Sequence, residues 1–346
     1  MKKIEGGVTA AAGFQAASVA AGIKYKERPD MAMIFSLVPC HAAGAFTRNV
    51  VKAAPVKWDQ QVVRESDFVQ AVVINAGIAN ACTGAEGFGY CHDTAKAASE
   101  VLGISKEAVL VASTGVIGMQ LPMNRIQAGV EQMASLLKGD IESGTGAARA
   151  IMTTDTISKQ AAAQIEVGGV TVTIGGMSKG SGMIHPNMCT MLGFVTTDAV
   201  ISKELLTKAL KEDVKDTFNM ISVDGDTSTN DTLLLMANGM AGNPEIQEGS
   251  SEYEEFKQAL HYVNESLAKM MAGDGEGAQA LLEVKVQGAR SKEEARALSR
   301  SVVSSSLVKA AVYGHDANWG RILCALGYSG VSFDPEKVDV SFVSRA

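Results

Sequence analysis

KGSGMIHPNMCTMLGF, residues 179–194, is the stretch on which the reading of this chain turns. A Lys, two Gly and a Pro lead to a single Thr, and that Thr opens an apolar run with the pattern of a buried strand. Taken separately, each feature belongs to any junction of loop and strand. Together they describe a Gly-rich approach that lets the backbone come close to itself. They also place one hydroxyl, that of Thr190, at the mouth of a strand, where a nucleophile is useful.

Strand-like pieces flank this stretch. KQAAAQIEV (159–167) and GVTVTIGGM (169–177) read as a hairpin turning at Gly168-Gly169, and TMLGFVTT (190–197) as the next strand. Upstream, MAMIFSLV, QAVVINA and EAVLVAS alternate with helical patterns at HDTAKAASEVLGI and MNRIQAGVEQMASLL. Downstream come amphipathic helices at KELLTKALKEDVKDTFNMI and EYEEFKQALHYVNESLAKMM, strands at NDTLLLMA, ALLEVKVQG and KVDVSFV, and a helix at SKEEARALSRSVVSSSLVKAAV. This order predicts an α+β protein of layered sheets covered by helices rather than a doubly wound parallel sheet. No repeat or Pro-rich linker cuts the chain, and the nearest thing to a boundary is the Gly-rich loop before Thr190.

Composition narrows the function. The 346 residues are 46% hydrophobic and 20% charged, as in an ordinary folded protein long enough for two domains or one large layered one. A formal charge of -7 with scattered Lys and Arg argues against a nucleic-acid partner, since phosphate binding needs clustered cations. Five Cys with no CxxC pair fit a reducing compartment, and the chain reads as cytoplasmic. The basic, Ala-rich N-terminus is interrupted by Glu5, Gly6 and Gly7 and is too weakly apolar for a signal peptide; no stretch reaches membrane-spanning length.

Several short segments carry candidate chemistry. VLVASTGVIGMQLP ends a strand in Ser113-Thr114-Gly115, whose backbone N–H groups either converge as an oxyanion hole or form an ordinary turn. MTTDTISK packs three Thr hydroxyls and Asp155 into four residues, for a polar ligand or a helix cap. NAGIANACTG is a tight turn with two Asn, whether or not it binds anything. GDGEGA sets Glu276 between glycines, where a carboxylate reaches a ligand ammonium without crowding, or simply meets solvent. VDGDTSTNDT fails the calcium-loop pattern, with Thr229 at the sixth position and Leu235 at the twelfth. The Cys-His pairs at 40–41 and 91–92 lack zinc spacing, so no metal is assigned. GMSKG matches a nucleophile elbow in letters only, because more Gly and then Pro186 follow instead of a helix.

Taken together, these segments resemble the ornithine acetyltransferases, also called glutamate N-acetyltransferases. The resemblance runs through GGVTAAAGFQAASVAAGIK, FTRNVVKAAPV, NAGIANACTG, STGVIG, MTTDT, KGSGMIHPNMCTML, DGDTSTNDT, DGEGA, GHDANWGRI and FDPEKVD, nearly the whole chain. It implies a layered α/β/β/α sandwich like that of N-terminal-nucleophile hydrolases. It also implies self-cleavage between Cys189 and Thr190, giving an α chain, 1–189, and a β chain, 190–346, assembled as an α2β2 heterotetramer. Thr190 would be the nucleophile, Thr114 and Gly115 the oxyanion hole, and Thr156, Lys179, Thr190 and Glu276 the substrate site. The implied reaction moves an acetyl group from N-acetylornithine to Thr190 and then to glutamate, with no cofactor; some members also accept acetyl-CoA as co-substrate. The sequence departs from the family in Cys189 for Ala, Gln279-Ala280 for Thr-Lys and Ala317 for Pro, and it stops at SFVSRA, short of a C-terminal segment that holds substrate. The expectation is weaker substrate binding with the nucleophile intact. Two other readings stay open: a self-processed amidohydrolase or aminopeptidase with water as acceptor, and an impaired paralogue that binds amino acids without turnover.

Overall fold

The computed structural model describes residues 1–185 and 191–344, so Cys189 and Thr190 lie outside the described residues. The chain opens with β1 (Lys2–Ile4), β2 (Phe14–Val19) and β3 (Met31–Phe46), then α1 (Ala54–Glu65), β4 (Val69–Ile78), α2 (Gly84–Leu102), β5 (Val109–Val116), α3 (Met123–Leu136) and α4 (Ile141–Ala150). It continues with β6 (Lys159–Val167), β7 (Val170–Lys179), β8 (Leu192–Thr197), α5 (Lys203–Asp213), β9 (Thr232–Ala237) and α6 (Ser251–Gly273), and closes with α7 (Lys292–Ser304), α8 (Ser306–Tyr313) and α9 (Trp319–Gly327).

The strands form a mixed sheet in the order β1-β6-β7-β8-β9-β3-β4-β5, with β2 also on β3. The hairpin read from the sequence is β6–β7, closed by Val167↔Val170 across Gly168 and Gly169, both at positive φ (58° and 80°). Two glycines at positive φ make the turn whose twist matches the flanking strands. β3 is the pivot. Its first half, Met31–Phe35, pairs with β2 and β4, and its second half, His41–Phe46, pairs with β9. The register breaks between Phe35 and Cys40, where Pro39 has no N–H for a ladder.

That break divides the sheet into two packed layers. On the β6–β9 layer, Leu192, Phe194, Leu234 and Met236 join the core of β2–β5, while Val195, Leu233 and Leu235 alternate to the other face and meet Phe256, Leu260, Val263 and Leu267 of α6. α1 to α4 cover the β2–β5 layer, giving the expected α/β/β/α order. No helix among the described residues is long and apolar enough to cross a membrane.

Four expectations are corrected. Residues 280–288 and 337–343 join no ladder among the described residues. They keep the strand period, with Leu282, Val284 and Val286 half-buried and Glu283 and Lys285 exposed, but alternation specifies a face and not a pairing partner. The helix read over 291–312 is broken at Ser305, whose hydroxyl accepts from the Val308 N–H and caps α8. The helix read over 203–221 ends with α5 at Asp213.

Candidate active site

Strand ends and loops far apart in sequence converge on one cavity of about 410 Å³. The end of β5 contributes Thr114 and Gly115, the end of β7 Lys179, the approach to β8 Met191, the approach to β9 Asp231, and the loop after α6 Glu276. Gly115 is required where it stands. Its φ is 133°, and a Cβ there would lie 2.1 Å from the Gly77 carbonyl carbon.

Lys179 is buried, donates to Thr114 Oγ1 at 3.4 Å and lies 3.9 Å from Asp155 Oδ2. Burial pushes its ammonium below the ordinary lysine value; Asp155 opposes this, Lys159 reinforces it, and Asp231 and Glu276 oppose it again. Glu276 folds over Gly182, where a Cβ would meet its carboxylate Oε1 at 2.5 Å, and its N–H donates to Ser181 O at 3.0 Å. One wall of the cavity therefore carries a cation and another an anion, the complement of a zwitterionic ligand. Met191 lines the same cavity, and its carbonyl accepts from the Thr232 N–H at 2.8 Å. Thr190, the residue before Met191, lies outside the described residues.

Thr156 is not among the residues that line this cavity and is exposed. Its hydroxyl donates to Asp274 Oδ1 and its N–H to Asp274 Oδ2 at 3.0 Å, while Thr153 and Thr154 line the cavity. NAGIANACTG and VDGDTSTNDT make backbone-bracing hydrogen bonds, and Ser228, Thr229, Asn230 and Asp231 of the second also line the cavity. Asn75 Nδ2 donates to Ile78 O, and Asn80 Nδ2 to Gly87 O, both at 2.9 Å. Asp224 accepts the Ile184 N–H at 2.9 Å, and Asn230 Nδ2 donates to Ala79 O at 2.6 Å and Ser113 O at 2.7 Å, binding the approach of β9 to the end of β5.

Among the charged residues that escaped the reading of the sequence are Asp231 on the cavity wall and the buried Lys159. Each is a charge at the edge of an apolar strand, TLLLMA for Asp231 and QAAAQIEV for Lys159, and a charge committed to burial needs a partner. That was the available signal. A larger cavity of about 730 Å³ adjoins at Glu276, but none of Thr114, Gly115 or Lys179 lines it.

The geometry has close relatives. Arginine biosynthesis bifunctional protein ArgJ of Symbiobacterium thermophilum is 56% identical over 342 residues, 98% of this chain and 84% of that protein. ArgJ 1 of Clostridium acetobutylicum is 54% identical over 95% of this chain and 80% of its own length. The crystal structure of ArgJ from Bacillus halodurans superposes with a TM-score of 0.52 at 43% identity, covering 54% of this chain and 96% of that one. The model of the ArgJ family matches residues 15–345, so the sequence, its layered sheets and the motifs gathered at the cavity have a common origin: this chain belongs to the ArgJ family.

Proposed function

We propose that this protein is a self-processed ornithine acetyltransferase of arginine biosynthesis, moving an acetyl group from N-acetylornithine to glutamate through Thr190. The observation that carries the reading is the convergence of Thr114, Gly115, Lys179 and Glu276 on the cavity that Met191 also lines. Lys179 receives the substrate carboxylate and Glu276 its ammonium, which leaves the acetyl carbonyl directed at the strand mouth. The Thr190 hydroxyl attacks that carbonyl, the backbone at Thr114-Gly115 stabilises the oxyanion, and ornithine departs with the proton taken from the hydroxyl. Glutamate then attacks the acetyl ester, giving N-acetylglutamate and free Thr190.

The same hydroxyl first attacks the Cys189 carbonyl. An N-to-O acyl shift followed by hydrolysis frees the Thr190 α-amine, whose unperturbed pKa near neutrality suits it to act as the base. Supporting this, the solved Bacillus halodurans chain is matched over 96% of its own length by only 54% of this chain, as a separate fragment would be. The fragments would assemble as α2β2, in the cytoplasm, with acetyl-CoA as a further donor.

The test is release of ornithine from N-acetylornithine with and without glutamate, alongside intact-mass analysis. Glutamate-dependent release with an acetyl adduct on the fragment beginning at Thr190 is expected. Release that ignores glutamate would mean hydrolysis and overturn the transferase assignment.

A further inference from the structure

Behind the cavity a single ammonium ties together the segments that carry the site. Lys159, on β6, is fully buried and donates to Asp155 Oδ1 at 2.8 Å and to Asp274 Oδ2 at 2.6 Å. Asp155 Oδ1 also accepts the Gly180 N–H at 2.6 Å, and Asp155 Oδ2 faces Lys179 at 3.9 Å. Asp274 accepts the Thr156 N–H and hydroxyl, while its own carbonyl accepts from Ser181 Oγ at 2.7 Å, two residues before Glu276. So one nitrogen, through two carboxylates, fixes the Thr156 turn, the Lys179-Gly180 corner and the Glu276 loop.

We infer that Lys159 is a positioning residue of the acyl-transfer site, neutralising Asp155 and Asp274 so that the segments bearing Lys179 and Glu276 close on the substrate. This rests on the cavity being that site. The physical reason is electrostatic. Two carboxylates at 2.8 and 2.6 Å from one buried nitrogen repel each other once the cation is removed, and one of them must move apart or take up a proton. Of the other charged groups, Lys179 from β7 acts on Asp155, and Asp231 from the approach to β9 and Glu276 from the loop after α6 act in turn on Lys179. Burial pushes both carboxyls up, yet the neighbouring ammonium groups and donated hydrogen bonds outweigh it and hold both below the usual carboxylate range.

Lys159→Met keeps most of the aliphatic stem and deletes the charge. Its kcat/KM for acetyl transfer should fall by roughly a hundredfold at pH 8 and recover by about tenfold relative to wild type at pH 6, where one carboxylate is protonated. Adding Asp274→Asn removes the repulsion, so the double variant should outperform Lys159→Met at pH 8 and lose the recovery at low pH. A packing role alone would give additive losses and an unchanged pH profile, and would overturn the inference. If Lys159→Met does not fold, the charge-balanced double variant decides. Transfer by a folded double variant supports the inference; an inactive or unfolded double variant overturns it. Wild-type protein without transfer activity would sink the functional reading, whereas active wild type with an indistinguishable Lys159→Met variant would sink this inference alone.

Discussion

Lys179 is a cation kept almost without water, and its worth depends on remaining charged. Since burial holds its ammonium below the ordinary lysine value, binding of an ionised carboxylate should be lost as pH rises through that lowered pKa, earlier than for an exposed lysine. Lys179→Met should raise KM by roughly 10–100-fold with a smaller effect on kcat, and should abolish the alkaline rise in KM, because a hydrogen bond to a charged group contributes about 1.5–3 kcal/mol. A wild-type KM that rises no earlier than an exposed lysine loses its proton would contradict this role. At Thr190 the expectation is qualitative. Thr190→Ala should leave a folded, uncut and inactive precursor on a denaturing gel, and Thr190→Ser should retain part of both activities because the hydroxyl remains. Continued cutting of Thr190→Ala at the same bond would exclude Thr190 as the attacking group.

At the scale of elements, β5 ends the sheet and presents an edge that the structure covers with α1. Trp58 Nε1 donates to Val109 O at 3.0 Å and Asp59 Oδ1 accepts the Val111 N–H at 2.8 Å, so the helix satisfies backbone groups that no further strand pairs. The same strand carries Thr114 and Gly115 at its far end, so this fastening also holds the proposed oxyanion hole. Asp59 is fully buried, and burial pushes its carboxyl well above the usual value, with the Val111 N–H offsetting part. The folded state therefore holds a proton that the unfolded chain releases near pH 4, and stability falls as pH rises from there through the raised pKa. Asp59→Asn keeps an acceptor and cannot ionise. Its urea midpoint should gain on wild type as pH increases, by at most about 1.4 kcal/mol of stability per pH unit. A difference constant between pH 4 and pH 8 would show that Asp59 ionises freely.

For the whole molecule, the consequence of the proposed cut before Thr190 follows from the sheet. β7, in the 1–189 fragment, pairs with β8 from Ile174↔Thr197 to Lys179↔Leu192, and β3 pairs with β9 from His41↔Ala237 to Phe46↔Thr232. α6, in the second fragment, packs on β6 and β7 of the first. The two fragments should therefore elute as one species in native buffer and unfold in one transition, separating only in denaturant; dissociation on dilution would show that these ladders do not hold them. Much of this architecture is local and was legible in the sequence, in the Gly168-Gly169 hairpin and the amphipathic face of α6, whereas Thr114, Gly115, Lys179 and Glu276 stood out as site candidates only through the resemblance to a family. Periodicity and backbone freedom are short-range properties, written within a few residues. Which strand-like runs find partners was not legible, since residues 280–288 alternate as a strand does and pair with nothing among the described residues. Nor were Asp231 and Lys159, because a buried charge is justified only by its counter-charge, and Lys159 finds Asp274 115 positions away. The sequence by itself determined most of the elements and, through its resemblance to a family, the candidate side chains; tertiary structure alone decided which charges meet, because that pairing depends on distances that exist only once the layers have packed.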